Sequence, residues 1–461
     1  MNKVKYYIGL LFIVSQLVLW AQKKEPVQRK TEDIPPAMRA QSALFADGLR
    51  EFYTDSYQAA EHIFRQVLFQ NAKNSAAQYM LGKIRAQVKD YSGAAYYFDE
   101  AVKIDKNNVW YKAERAKNLV NLGDYNAAAQ AWEEVCKLEP KNEVFLYNLS
   151  DCYVNLGKYQ EVIKVYNRME KLVGPNEELT RAKRNIYLYF NDLKSAVGEY
   201  DKLIKENPGN LDFYVAAGDI YMSNNVPDKA LPYYEKVLQI EPNHPQANLS
   251  IASYWLLQGD ADQSFKSYLL AFESKELEKE AKLPVLRSYL AQAIRSRNSA
   301  DIQRTAQLAA ALTEANSNAV EGPATQGSLC LFQADYSNAK DFFAQALAID
   351  NTQYSLWQDY FSALERLGDY PAITERAEEA AELYPTNAVL LYTIANAYLK
   401  NGQLNEALDW FKPAATFAFD SDLLGSIYFR MAEIYSDMHN PDEAEKYYKM
   451  AEAKGKRRDS R

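Results

Sequence analysis

From Gln41 onward, apolar residues recur every three to four positions in segments of about 13 residues, each closed by a short polar turn. That spacing puts the apolar residues on one face of a helix, so the pattern predicts a succession of amphipathic helices. The segments come in pairs, and the pair repeats every 34 residues. With Ser75 as position 1, frames start at Gln41, Ser75, Val109, Glu143, Glu177, Leu211 and Pro245 without a gap, then resume at Val320, Tyr354, Ala388 and Gly425. Eleven units are readable, and repeats of this length signal an array and not separate globular domains.

The frame can be tested where helices must cross closely. Position 20 is Ala60, Ala94, Ala128, Ala196, Ala230, Ala339, Ala407 and Ala444, with Val162, Ser264 and Ile373 departing. Position 24, one turn later, is aromatic in every unit except the one carrying Ala377. Pro140, Pro208, Pro242 and Pro385 at position 32 end the second helix, because proline has no N–H and clashes with the preceding turn. Between the helices, Gly123, Gly157 and Gly368 stand where a first helix must stop in a left-handed conformation. Each unit is therefore read as helix, tight turn, helix, and a Pro or Asn turn.

These residues resemble the tetratricopeptide-repeat family: small, aromatic, small and Pro at positions 8, 24, 27 and 32, with Gly at the hairpin turn, over roughly residues 41–458. The resemblance implies an all-α fold, a right-handed α-solenoid superhelix of about twelve helical hairpins, with the first helices lining a concave peptide-binding groove. One hairpin cannot bury its own apolar face, so stability comes from stacked neighbours. The frame fails at 279–319, where Pro284 to Arg297 and Ala300 to Ala315 still read as two helices. The expected organisation is an arm at 22–40, seven units over 41–278, an irregular hairpin at 279–319, four units over 320–458 and a tail at 459–461. Pro413, at position 26, is expected to kink its helix.

Residues 1–21 read as a signal peptide: Lys3 and Lys5, an apolar stretch from Tyr6 to Trp20, and Ala21 before the expected cut. No Cys follows Ala21, so lipid attachment there has no thiol, and the expected product is an exported soluble protein, periplasmic in a Gram-negative cell, with a retained N-terminal membrane anchor as the alternative. The net charge of −8 becomes more negative once Lys3 and Lys5 leave, and an acidic surface repels phosphate backbones, which speaks against nucleic-acid partners. No further apolar stretch reaches membrane-spanning length. Cys136, Cys152 and Cys330 are too few for a disulfide framework and sit in apolar helical patterns, as small buried hydrophobes do.

No catalytic constellation appears. His62, His244 and His439 are isolated, and neither a Cys/His metal cluster nor a phosphate-cradling glycine loop nor a nucleophile motif is present. Neither cofactor nor metal is expected, and the reading is of a protein that is not an enzyme. Candidate recognition residues come from the first helices, where positions 5, 9 and 13 share one face, concave in the resembled family. In units two to five these are Tyr79, Lys83 and Gln87; Ala113, Lys117 and Asn121; Tyr147, Asp151 and Asn155; and Arg181, Asn185 and Tyr189. Tyrosine offers flat area with a hydroxyl, asparagine both donates to and accepts from a peptide backbone, and the cations meet carboxylates.

The Lys and Asn clamp that some relatives use for a terminal carboxylate is incomplete here: Arg181 and Asn185 are followed by Ala216, Gln246 and Ser250. The expected function is an exported scaffold that binds peptide segments of envelope proteins. The alternatives are a carbohydrate- or wall-binding module, for which Trp110 is the single candidate platform, and self-assembly through the end units, where Phe45, Leu49, Phe52 and Tyr53 form an apolar cluster.

Overall fold

A computed structural model describes residues 36–456. The expected signal peptide, the arm up to residue 35 and the tail at 459–461 lie outside the described residues. Among these residues there are 25 helices and no strand. In chain order they are α1 Pro36–Tyr53, α2 Tyr57–Gln70, α3 Ser75–Gln87, α4 Tyr91–Ile104, α5 Val109–Asn121, α6 Tyr125–Leu138, α7 Glu143–Asn155, α8 Tyr159–Val173 and α9 Glu177–Tyr189. Then follow α10 Leu193–Glu206, α11 Leu211–Ser223, α12 Pro227–Ile240, α13 Pro245–Leu257, α14 Ala261–Glu273, α15 Lys279–Ser296, α16 Ser299–Ala315, α17 Glu321–Phe332 and α18 Tyr336–Ile349. The last are α19 Tyr354–Leu367, α20 Tyr370–Glu375, α21 Ala377–Leu383, α22 Ala388–Lys400, α23 Leu404–Phe417, α24 Ser421–Asp437 and α25 Pro441–Glu452. The chain divides into two compact units between Asp192 and Leu193, so α1–α9 form unit 1 and α10–α25 form unit 2. Each is a solenoid of stacked helical hairpins.

The repeat frame explains the packing residue by residue. All eleven residues at position 20 are buried, including the larger Val162 and Ile373. Small residues at position 8 let a first helix approach the position-24 ring of its own hairpin: a Cβ on Gly82 would stand 2.7 Å from the Phe98 ring, and one on Gly327 2.9 Å from Phe343. The hairpin turn is equally regular. Every position 15 has positive φ, from Gly123 (77°) and Gly157 (65°) to Lys89 (63°), Asn191 (57°) and Ala334 (59°). The first helices start on asparagine caps, with Asn74, Asn142 and Asn387 accepting from the amides of Ala77, Phe145 and Leu390. Aspartates cap the second helices, as Asp90, Asp124 and Asp335 do for Gly93, Ala127 and Asn338.

Three details go beyond the sequence expectation. α1 covers residues 36–40 of the expected arm, so that part of it is helical. α23 runs through Pro413, which lies in its second half and removes one backbone hydrogen bond. A break falls at Arg376, between α20 and α21, where the guanidinium stands 4.5 Å from the Trp357 ring centre and donates to Glu379. The irregular segment is two helices, α15 and α16, and Leu286, Leu308 and Leu312 join Tyr268 and Phe272 in one core. It thus continues the stacking of unit 2 although it has lost the repeat.

Candidate functional site

The candidate face lies on the first helices of unit 1, α3, α5, α7 and α9. Their order in space follows from ring contacts between successive units. Tyr79 of α3 lies 4.8 Å from Tyr111 of α5, and Trp110 of α5 lies 6.0 Å from Phe145 of α7. The Tyr147 hydroxyl of α7 donates to Glu178 of α9 at 3.4 Å. Consecutive first helices therefore touch through side chains near their N-terminal ends, one hairpin after the next.

Lys83, Lys117 and Asn121 come together around one cavity of about 220 Å³, with Gln87, Tyr91, Phe98, Glu114 and Asn118 completing its wall. The other cations on these two helices are already engaged. Arg85 binds Glu61 and, at 3.3 Å, Asp90; Lys112 binds Glu134 at 2.8 Å; Arg115 binds Asp99 at 2.5 Å. Among the described residues Lys83 has no carboxylate partner, and it lies against the rings of Phe52 and Tyr79, at 5.7 and 5.8 Å from their centres. Lys117 is exposed. The half-buried Tyr79 hydroxyl is pushed up to about 12, first by burial and then by the nearby Glu114 carboxylate, so it stays a neutral donor at any physiological pH.

Farther along the row the remaining candidates stay exposed. Asp151 and Asn155 are on the surface of α7, where the Asn155 amide donates to the Asp151 carbonyl at 2.8 Å. Tyr147 is 37% exposed, and burial with Glu178 alongside raises its hydroxyl. Arg181 makes an exposed 3.7 Å pair with Glu177, and Asn185 accepts from Arg184 at 2.9 Å. Tyr189 is largely exposed and packs its ring against Phe190 at 5.1 Å and Tyr159 at 5.4 Å. The structure thus unites three of the ten candidates in a cavity and lays the others along the continuing face.

Two polar cavity residues of α5, Glu114 and Asn118, stand off the candidate row of positions 5, 9 and 13. Glu114 sits at position 6. Asn118 is 2% exposed, donates to the Tyr91 carbonyl at 2.9 Å, and its Oδ1 has no hydrogen-bond partner. The signal was there: in the neighbouring units its column holds Ile84, Cys152 and Ile186. A lone amide in an apolar column is a buried polar group that must find a backbone partner.

The three cysteines show no thiolate character: Cys136 and Cys152 are buried and Cys330 half-buried. Of the tryptophans, Trp132 and Trp357 are core residues while Trp110 is 62% exposed. No described helix is long and apolar enough to cross a membrane, and among the described residues no group of three His, Cys, Asp or Glu side chains could hold a metal.

Models described as tetratricopeptide repeat match residues 45–109, 119–186, 211–244 and 386–454, together about half of the chain. No curated protein sequence matches it. Similar solved structures include that of Naa15/Naa10 bound to HypK-THB, at 14% identity over 90% of this chain and 75% of that one, with a TM-score of 0.40. Another is yeast Tom70, at 15% identity over 88% and 99% of the two chains with a TM-score of 0.30. A third is YrrB, described as a TPR protein with an unusual peptide-binding site, at 19% identity over 40% and 95% with a TM-score of 0.28. With its repeat frame, its eleven left-handed hairpin turns and four matching repeat models, the chain belongs to the tetratricopeptide-repeat family.

Proposed function

We propose that the protein is an exported, non-enzymatic scaffold that binds extended peptide segments of other proteins along the first helices of unit 1, in the assembly or upkeep of cell-envelope machinery. The observation that carries the binding reading is the cavity between α3 and α5, where two lysines without carboxylate partners stand beside an asparagine and a glutamine. A peptide presents what those groups lack: carbonyl and carboxylate acceptors, and N–H donors for the amide oxygens. The export part of the reading rests on the charged and apolar pattern of residues 1–21.

The test is capture of partners from envelope extract on the mature chain, followed by affinity measurement with the recovered partner. Lys117→Ala with Arg181→Ala should weaken binding, and more at low salt than at high. A control double change at Ser253 and Ser328 should leave it unchanged. Loss in the control alone would move the site off unit 1. The intact mass of the exported protein should lack Met1 to Ala21; a mass that retains them, or a lipid adduct, overturns the export reading.

A further inference from the structure

The first helices of unit 1 change sign along the row. Position 9 is Lys83 on α3, Lys117 on α5, Asp151 on α7 and Asn185 on α9. The change is not confined to that position. α7 carries Glu143 and Asp151, both exposed, and not one Lys or Arg. On α3 and α5 the basic residues outnumber the acidic, and the pairs made by Arg85, Lys112 and Arg115 with the second helices leave Lys83 and Lys117 as the unpaired cations at the cavity. Glu114 on the same wall offsets one of the two, so the cavity keeps a net positive charge. Lys117 and Asp151 are one hairpin apart and do not pair with each other. An ordinary solvated surface would let neighbouring opposite charges neutralise one another; here they stand apart along the row.

We propose that this groove reads a peptide of mixed charge in blocks, an acidic side chain entering the cavity between Lys83 and Lys117 and a basic side chain meeting Asp151 and Glu143. This rests on the peptide-binding reading above and adds the class of segment. Packed helices lie about 8–10 Å apart, the cavity opens between α3 and α5 and Asp151 stands on α7, about one and a half such steps away; an extended peptide advances about 3.3 Å per residue, so the block centres are about four residues apart. One hairpin step is also about the Debye length in 0.1 M salt, so the two signs are felt separately by the ligand. The cavity of about 220 Å³ takes one carboxylate side chain with its stem. The rings of Tyr79 and Tyr111 flank the cationic end, and the exposed faces of Trp110 and Tyr147 offer apolar contact to the residues between the blocks.

The experiment uses the full chain and three short fluorescent peptides with both ends blocked, so that no terminal carboxylate takes part. One carries two aspartates, three uncharged residues and two arginines; the second has the same composition with its charges alternating; the third is all acidic. By anisotropy at low salt, wild type should favour the block peptide over both others by about fivefold, the upper range for an exposed ion pair. Asp151→Lys, a surface change, should invert the order and favour the all-acidic peptide, and Lys117→Glu should abolish the preference. Equal affinity for all three peptides, or an order unmoved by Asp151→Lys in a variant with wild-type unfolding, overturns the proposal. If no probe binds while a captured partner still responds to Lys117→Ala with Arg181→Ala, block-charge recognition falls and peptide binding stands. If the captured partner is indifferent as well, both fall.

Discussion

The Phe98 ring occupies the space where a side chain on Gly82 would begin, two ring carbons lying 2.7 Å from the ideal Cβ position. Phe98 is 1% exposed and has nowhere to retreat. The same relation links Gly218 to Tyr234 and Gly48 to Phe64, so the pairing of positions 8 and 24 sets how closely the two helices of a hairpin approach. Where position 8 is Phe361, position 24 is Ala377, and both are buried in one core: the large and small residues have traded places.

Gly82→Ala should therefore destabilise unit 1. Alanine favours the helix by about 1 kcal/mol, but overpacking a closed core costs about 1–3 kcal/mol and wins here. Adding Phe98→Leu should recover part of the loss by narrowing the ring site. Denaturant midpoints of the single and double variants decide it; a neutral Gly82→Ala would mean that the hairpin opens freely at this crossing.

The hairpin turns predict opposite signs for two exchanges. At Gly157 nothing lies within 4 Å of the point where a Cβ would stand, so Gly157→Ala meets only the cost of a positive φ, about 1–2 kcal/mol. Ala334, at φ 59°, already bears that cost. Ala334→Gly should stabilise by about 0.5–1 kcal/mol, the left-handed strain relieved less the added freedom of the unfolded chain. Thermal or urea unfolding of the two variants should move in opposite directions.

Burial pushes the thiols of Cys136 and Cys152 up to about 11 and raises that of Cys330 as well. A raised thiol pKa suppresses the thiolate, the form that reacts. At pH 8 iodoacetamide should label the half-buried Cys330 before the other two in the native protein, and all three quickly in denaturant. Mass spectrometry of the digested protein reads the order, and early labelling of Cys136 would show that its hairpin opens.

Lys282 is fully buried, and its ammonium donates to the carbonyls of Phe272 (3.0 Å) and Ser274 (2.7 Å) and to Asn316 Oδ1 (2.7 Å). These acceptors are the end of α14 and the cap of α16, so one side chain ties the irregular hairpin to the unit before it. Lys282→Met keeps the stem but strands three buried acceptors, at a cost of about 1–3 kcal/mol for each group left unpaired. Desolvation lowers this amine from 10.5 to about 8. Between those values the unfolded chain holds the extra proton, so wild-type stability should rise with pH across this window relative to Lys282→Met. Unfolding of both proteins from pH 7 to 10 checks the slope; parallel curves would refute it.

Much of this was legible in the chain because the repeat is written in short-range terms. A buried column such as position 20, a proline two residues past a helix end, and a glycine at the hairpin turn each constrain residues only a few places away. That Lys89 and Ala334 adopt the same left-handed turn without glycine shows only in the structure, because their side chains do not announce it. The frame located Lys83, Lys117 and Asn121 on one face as well, since residues four apart on a helix share a side. The two helices of 279–319 were visible from their apolar spacing, while their place in the core of unit 2 was not.

By itself the sequence determined the helices, their pairing, the turn between them and the face that each first helix presents, because all of these follow from local sterics and helical periodicity. Tertiary structure decided which polar groups are satisfied and which remain free. Lys282 needs acceptors from α14 and α16, Arg376 breaks its helix over the Trp357 ring, and Arg85, Lys112 and Arg115 find carboxylates on the second helices while Lys83 and Lys117 find none. Those partners lie many residues apart in the chain, and only packing brings them within reach of a hydrogen bond or an ion pair. The charged cavity is what remains once that pairing is complete.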